Sequence, residues 1–143
     1  IQAETAKSVG AKTVLATDID VESIKYLKSK QIKALKSDLF SKVKGKFEAI
    51  AFNPPYLPYD KLEDKESSIA TTGGKRGDEI ILRFLKQSKK YLSKEGIILI
   101  VLSSLTPKHR ILDLLKKLKL QRKIISKQNF FMETLKVWRI RRL

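Results

Sequence analysis

Three apolar runs, "TVLAT" at 13–17, "FEAIAF" at 47–52 and "GIILIVL" at 96–102, are separated by stretches with helical periodicity, and this alternation constrains the fold most. Val21, Ile24 and Leu27 lie on one face of a helix expected over 21–29, with Asp20 in position to cap it. Between Asp78 and Leu92 the pairs Ile80/Ile81, Phe84/Leu85 and Tyr91/Leu92 recur at helical spacing, with acids at the start and lysines at the end, as the helix dipole favours. A further helix is expected over 2–9, stopped by Gly10, and another is opened by Thr106 and Pro107, with Ile111, Leu112, Leu114, Leu115 and Leu118 as its buried stripe. A short strand near 33–36 and two terminal strands at 122–126 and 133–140, with "KQNFFM" between them, complete the list. Strands alternating with helices predict an α/β sheet that is mainly parallel and ends in an antiparallel C-terminal hairpin.

Ligands of such sheets bind beyond the carboxyl ends of the strands, so the residues there are the candidates. The first strand ends in Asp18, within "ATDID"; its two oxygens match a ribose cis-diol, but a loop acid favoured by the next helix fits equally well. The second strand end carries Asp38, Leu39 and Phe40. An aspartate there can accept from an adenine amine, although by itself it reads as a turn residue. The third carries Asn53, Pro54, Pro55 and Tyr56. Each proline fixes its own φ and keeps the residue before it out of helical geometry, so Asn53 and Pro54 are expected to stay extended. The Asn53 side-chain oxygen and the Pro54 carbonyl can then converge on one planar NH2 group, each accepting a hydrogen, while Tyr56 offers a flat face for stacking. Such acceptors suit a nitrogen whose lone pair is delocalised, because they favour pyramidal character and fix its direction toward an electrophilic methyl. That chemistry needs neither a metal nor a covalent intermediate.

The totals narrow the class. At 143 residues the chain has the size of one domain, and 31 Lys and Arg against 15 Asp and Glu give a net charge of +16. That balance favours an anionic partner such as nucleic acid, although lysine dispersed along a chain more often forms a solvated face. There is no cysteine, hence no disulfide framework and no cysteine zinc site. The longest apolar run is too short to span a bilayer and nothing resembles a signal peptide, so a soluble, cytoplasmic protein is expected.

Lesser signals have plainer readings. Gly73, Gly74 and Gly77 serve either positive φ angles in a turn or a substrate-facing loop, and Lys75 and Arg76 between them are expected in solvent. His109, the single histidine, is expected to be exposed at a helix start. Ser103 and Ser104 lack the glycines of a nucleophile elbow and receive no nucleophilic role. Trp138 is expected in the core, with Arg139, Arg141 and Arg142 protecting a sheet edge or its exit.

"NPPY" after a buried strand, preceded by an acid at each of two earlier strand ends, resembles the class I methyltransferases that use S-adenosylmethionine to methylate planar nitrogens. "TTGGKRGDEIILRFL" at 71–85 is similar to the glycine loop of the HemK-type branch, which methylates a glutamine amide in release factors. The short body resembles the archaeal and eukaryotic members, and the similarity runs from Ile1 to about Arg142. The resemblance implies a Rossmann-like fold, with Asp18 and Ile19 at the ribose and Asp38 and Leu39 at the adenine. It places Asn53, Pro54, Pro55 and Tyr56 at the target amide, with Asn53 also near the cofactor. It further implies a peptide chain release factor as substrate and a small zinc-binding activating subunit as partner. The four-residue motif alone also fits adenine amino-methyltransferases acting on DNA or RNA.

One departure matters. The family's first strand and its acidic, glycine-rich loop are expected just before Ile1, with that strand lying between those at 13–17 and 47–52. Residues 1–143 thus read as a single catalytic domain lacking that strand and loop, whose sheet would have a gap or re-pair. A chain beginning at Ile1 is expected to bind S-adenosylmethionine weakly or not at all in a calorimetric titration. Micromolar affinity would overturn that expectation.

Overall fold

A computed structural model describes residues 1–57 and 71–143, and their contacts divide into two units, Ile1–Gly45 and Lys46–Leu143. In the first unit, α1 (Gln2–Ser8) is followed by β1 (Leu15–Asp18), α2 (Val21–Ser29) and β2 (Lys33–Lys36). Gly10 takes φ +92° just past α1, a left-handed conformation open to glycine. β1 begins two residues later than the apolar run suggested, and it pairs in parallel with β2 from Leu15↔Lys33 to Asp18↔Lys36. Asp20 caps α2 as expected, accepting the backbone N–H groups of Glu22 and Ser23 at 3.3 and 2.7 Å. Hydrogen bonding, led by Ser23, holds its carboxyl below the usual carboxylate range. Ile24 is buried on α2, but Val21, on the helix's first turn, remains exposed.

In the second unit, β3 (Phe47–Phe52), α3 (Glu79–Tyr91), β4 (Leu92–Ser103), α4 (His109–Lys117), β5 (Leu120–Asn129) and β6 (Thr134–Arg142) form a four-stranded sheet of order β3-β4-β6-β5 with its helices. β3 and β4 are parallel, Phe52 lying across from Ile100; β6 is antiparallel to both β4 and β5. Ile81 and Leu85 of α3, Ile98, Ile100 and Leu102 of β4, Ile111 of α4, and Trp138 and Ile140 of β6 are almost wholly buried. Phe52 stacks on Phe84 with ring centroids 4.5 Å apart, fixing the end of β3 against α3.

Several expectations are corrected. Leu112 is 40% exposed, because at 100° per residue it projects well away from the stripe of Ile111, Leu114 and Leu115. β4 starts at Leu92, directly after α3, rather than at Gly96. β5 runs on through Lys127, Gln128 and Asn129, which pair with Lys136, Leu135 and Thr134 after a bulge between Ile124 and Ser126. Cross-strand pairing overrides the polar local composition there. Arg139, Arg141 and Arg142 do not guard an edge, since β6 lies inside the sheet and β5 is outermost. Arg142 instead donates to the Lys89 and Leu92 carbonyls at the end of α3, at 2.9 and 3.2 Å. Trp138 is buried as expected, with the Arg122 guanidinium 4.3 Å above its ring.

The segments that position the proline loop meet through their backbones. Leu57 N–H donates to the Thr71 carbonyl and Gly73 N–H to the Leu57 carbonyl, both at 2.9 Å. Gly73 has no side chain for a steric reason: a Cβ there would stand 2.7 Å from the Pro55 carbonyl oxygen and closer still to that of Gly77. Gly74 (φ +112°) and Gly77 (φ +82°) supply the left-handed turns between Gly73 and α3.

Ile98→Ala is expected to lower stability to denaturant by about 2–5 kcal/mol, whereas Leu112→Ala should change it by no more than about 0.5 kcal/mol. Equal losses at the two sites would contradict this packing. Gly73→Ala, which must displace backbone atoms, is expected to cost about 1–3 kcal/mol in the same measurement. A neutral effect would show that the two loops do not meet closely.

Candidate active site

In the first unit the parallel pairing of β1 and β2 sets Asp18 at the carboxyl end of β1 and Asp38 just beyond that of its neighbour β2. Asp18 ends β1 opposite Lys36, and its Oδ1 accepts the Asp20 N–H at 2.9 Å. It lines a shallow cavity of about 400 Å3 together with Asp20, Glu22, Ser23 and Tyr26. Ile19 is 52% exposed beside it.

Asp38 is exposed two residues past β2, and Leu39 follows with φ +48°, a left-handed conformation uncommon for leucine. Ser37, whose importance was not visible in the sequence, holds this turn from inside. Its N–H donates to the Asp18 carbonyl at 2.9 Å, joining the two strand ends. Its buried hydroxyl donates to the Leu39 carbonyl at 3.0 Å and accepts the Lys42 N–H at 3.1 Å. Phe40 anchors the turn in the interior. Asp18 and Asp38 thus put two carboxylates at adjacent strand ends, groups able to accept hydrogen bonds from hydroxyls or an amine.

In the second unit Asn53, Pro54, Pro55 and Tyr56 leave β3 directly after Phe52. Asn53 is exposed, Pro54 is buried, and Pro55 and Tyr56 are half-buried. The Pro55 carbonyl faces Gly73, so the glycine loop sets the course of the proline segment. Burial first, and then the nearby Glu133, push the Tyr56 phenol above its ordinary value.

The start of α3 is organised by acids in different ways. The Asp78 carboxylate is fully buried and makes no side-chain cap; Arg110 of α4 donates to its Oδ1 at 2.9 Å. Glu79 accepts the Arg76 N–H with both oxygens at 3.2 Å, closing the glycine loop over its own first turn. Lys75, Arg76 and His109 are exposed, as expected. Ser103, given no nucleophilic role from the sequence, is buried and donates its hydroxyl to Glu133 Oε1 at 2.5 Å. No sequence signal pointed to Glu133, because its side-chain partner Ser103 lies 30 residues away. No helix among the described residues is long and apolar enough to cross a membrane.

Comparison with known proteins gives this arrangement a family. The methyltransferase small domain model matches residues 1–132. A protein of Methanocaldococcus jannaschii named as a protein N5-glutamine methyltransferase is 37% identical over 142 residues, spanning 92% of this chain and 72% of that protein. A release factor glutamine methyltransferase of Borreliella burgdorferi is 33% identical over 103 residues, 62% of this chain and 36% of that protein. Among solved structures, the E. cuniculi Mtq2–Trm112 complex, responsible for methylation of the eRF1 translation termination factor, matches with a TM-score of 0.74 at 20% identity, covering 98% of this chain and 78% of that one. A ribosomal protein L11 methylase of Lactobacillus delbrueckii matches with a TM-score of 0.66 at 23% identity, covering 96% of this chain and 62% of that one. Those two likenesses concern the fold, which is the Rossmann-like class I methyltransferase fold. The chain therefore belongs to the methyltransferase small domain family, as an S-adenosylmethionine-dependent N-methyltransferase of class I fold.

Proposed function

We propose that the protein methylates the side-chain amide nitrogen of a glutamine in a peptide chain release factor. The observation that carries this reading is the proline segment itself. Asn53 to Tyr56 leave β3 at its carboxyl end and are held on course by Gly73, in a loop that opens α3. The glutamine specificity in the names of the relatives from M. jannaschii and B. burgdorferi supports an amide as the acceptor.

S-adenosylmethionine, when bound, supplies an electrophilic methyl group. Asp18, with Ile19 beside it, would hold the ribose hydroxyls, and Asp38 with the Leu39 backbone would hold the adenine. At the acceptor, the Asn53 side-chain oxygen and the Pro54 carbonyl each accept one amide hydrogen, which withdraws the nitrogen lone pair from conjugation and aims it. Tyr56 supports the planar amide from one face. The E. cuniculi complex supports extending the proposal to a small activating partner subunit.

A second reading, methylation of an adenine amine in nucleic acid, is favoured by one observation. Lys123 lies directly across from Arg139, and Lys127 from Lys136, in the β5–β6 ladder. Opposed like charges destabilise a ladder, and a polyanion would relieve them. The two readings part in an assay of the full-length natural protein, offering labelled methyl donor with an intact release factor, a glycine-glycine-glutamine peptide, or RNA and DNA. Label is expected in the release factor; transfer to nucleic acid alone, falling steeply with salt, would reject the glutamine reading. In the same assay Asn53→Ala is expected to reduce kcat by about 10²–10³-fold, the usual effect of losing one preorganised hydrogen-bonding group at a reacting centre. An unchanged rate would remove Asn53 from the chemistry.

A further inference from the structure

The turn joining β5 to β6 is apolar where the chain on either side of it is polar. Phe130, Phe131 and Met132 follow Lys127, Gln128 and Asn129, and they are 51%, 93% and 85% exposed. Met132 also takes φ +77°, a left-handed conformation that glycine or asparagine adopts at lower cost. Folding alone does not account for these side chains. The turn that carries them is nevertheless fixed to the sheet. The Phe130 N–H donates to the Glu133 carbonyl at 2.7 Å, and the Glu133 carboxylate accepts the Ser103 hydroxyl at 2.5 Å. Thr134 exchanges two hydrogen bonds with Ser104: its N–H donates to Ser104 Oγ at 3.0 Å, and the Ser104 N–H donates to its carbonyl at 2.8 Å. A tip held in this way presents its side chains at little cost in ordering on contact.

Its place in the sheet decides what it meets. Phe52 lies across from Ile100, and Ile100 across from Trp138. From Trp138 back to Thr134, β6 continues for four residues, about 13 Å at the rise of a strand, before the turn begins. The turn therefore stands beyond the level at which Asn53 leaves β3, two strand spacings or about 10 Å to one side. On the strand between them, Leu105 follows the end of β4 and is 52% exposed. An interface of ordinary size covers about 800 Å2 on each partner, a patch roughly 30 Å across. Centred on Asn53, such a patch takes in the turn.

The chemistry of the tip selects the class of partner. In the stem below it Lys127 lies directly across from Lys136, and Lys108 Nζ donates to the Ser104 carbonyl at 3.2 Å, which sets a third cation at its base. Opposed lysines are relieved by carboxylates brought between them. The tip itself carries two phenylalanines and a methionine and no charge, a set that fills an apolar socket. Phosphate backbones are held by cations and polar donors instead, so the outermost residues suit a protein surface.

We propose that the β5–β6 turn docks the protein that carries the target glutamine, with Phe131 and Met132 entering an apolar socket whose acidic rim faces Lys108, Lys127 and Lys136. This rests on the reading of Asn53 to Tyr56 as the acceptor segment for a glutamine of a protein. The turn touches no reacting atom; it contributes affinity for the intact acceptor.

The test uses the full-length natural protein and a variant combining Phe131→Ser with Met132→Asn. Calorimetric titration with an intact release factor, which needs no turnover, is expected to show Kd raised about 10-fold or more. In methyl transfer KM for the release factor should rise in step while kcat stays nearly unchanged. Leu112→Ala, which removes an exposed apolar side chain from α4, is expected to change neither quantity. Unchanged Kd and KM in the double variant, or an equal loss in Leu112→Ala, would overturn the docking role while leaving the glutamine reading standing. Lost binding of RNA with release-factor binding intact would overturn it in favour of a nucleic acid. A dimer of the unaltered protein that the variant splits, seen by sedimentation, would overturn it in favour of a second copy. An unaltered protein that neither binds nor methylates the release factor would instead overturn the glutamine reading, and this inference with it.

Discussion

The candidate acceptor site depends on a contact between two pieces of backbone that belong to no regular element. The Pro55 carbonyl and Gly73 approach more closely than any side chain permits, and the hydrogen bonds joining Leu57 to Thr71 and Gly73 tie the segments together. Proline on one side and glycine on the other are the two extremes of backbone freedom. The prolines limit where the chain can go after β3, and the glycine removes the Cβ that would keep its partner away. The parallel register of β3 and β4 and the Phe52–Phe84 stack then set where the segment starts. Asn53 is exposed beyond the strand end and Tyr56 is half-buried.

Much of this was legible in the sequence because the determinants are local. Asp20 caps α2 through N–H groups two and three residues away, and an aspartate before an amphipathic stretch announces that role. The NPPY segment announces itself for the same reason, since the constraints of proline act on adjacent residues. The order of strands and helices followed from periodicity alone, including the antiparallel end.

What was not legible is set by distant partners. The glycines looked equivalent, yet Gly74 and Gly77 serve positive φ angles while Gly73 serves a close approach that only the folded chain creates. Asp78 looked like a dipole-complementing acid at a helix start, but it is a buried ion-pair partner of Arg110 on the next helix. Ser103 and Glu133 carried no pattern at all, because a serine at a strand end and a glutamate in a turn are ordinary until the fold places one against the other. The length of β5 was underestimated for a related reason: Lys127, Gln128 and Asn129 take strand geometry from β6 rather than from their own preferences.

The central claim is that the proline segment presents its acceptor oxygens to the amide of a glutamine. Mass-spectrometric localisation of the added methyl group tests it most directly, after the full-length natural protein is incubated with S-adenosylmethionine and a mixture of release factor and RNA. The account predicts one methyl group on a glutamine side-chain nitrogen of the release factor and none on the RNA. A methyl group on an adenine amine, with the release factor unmodified, would contradict it.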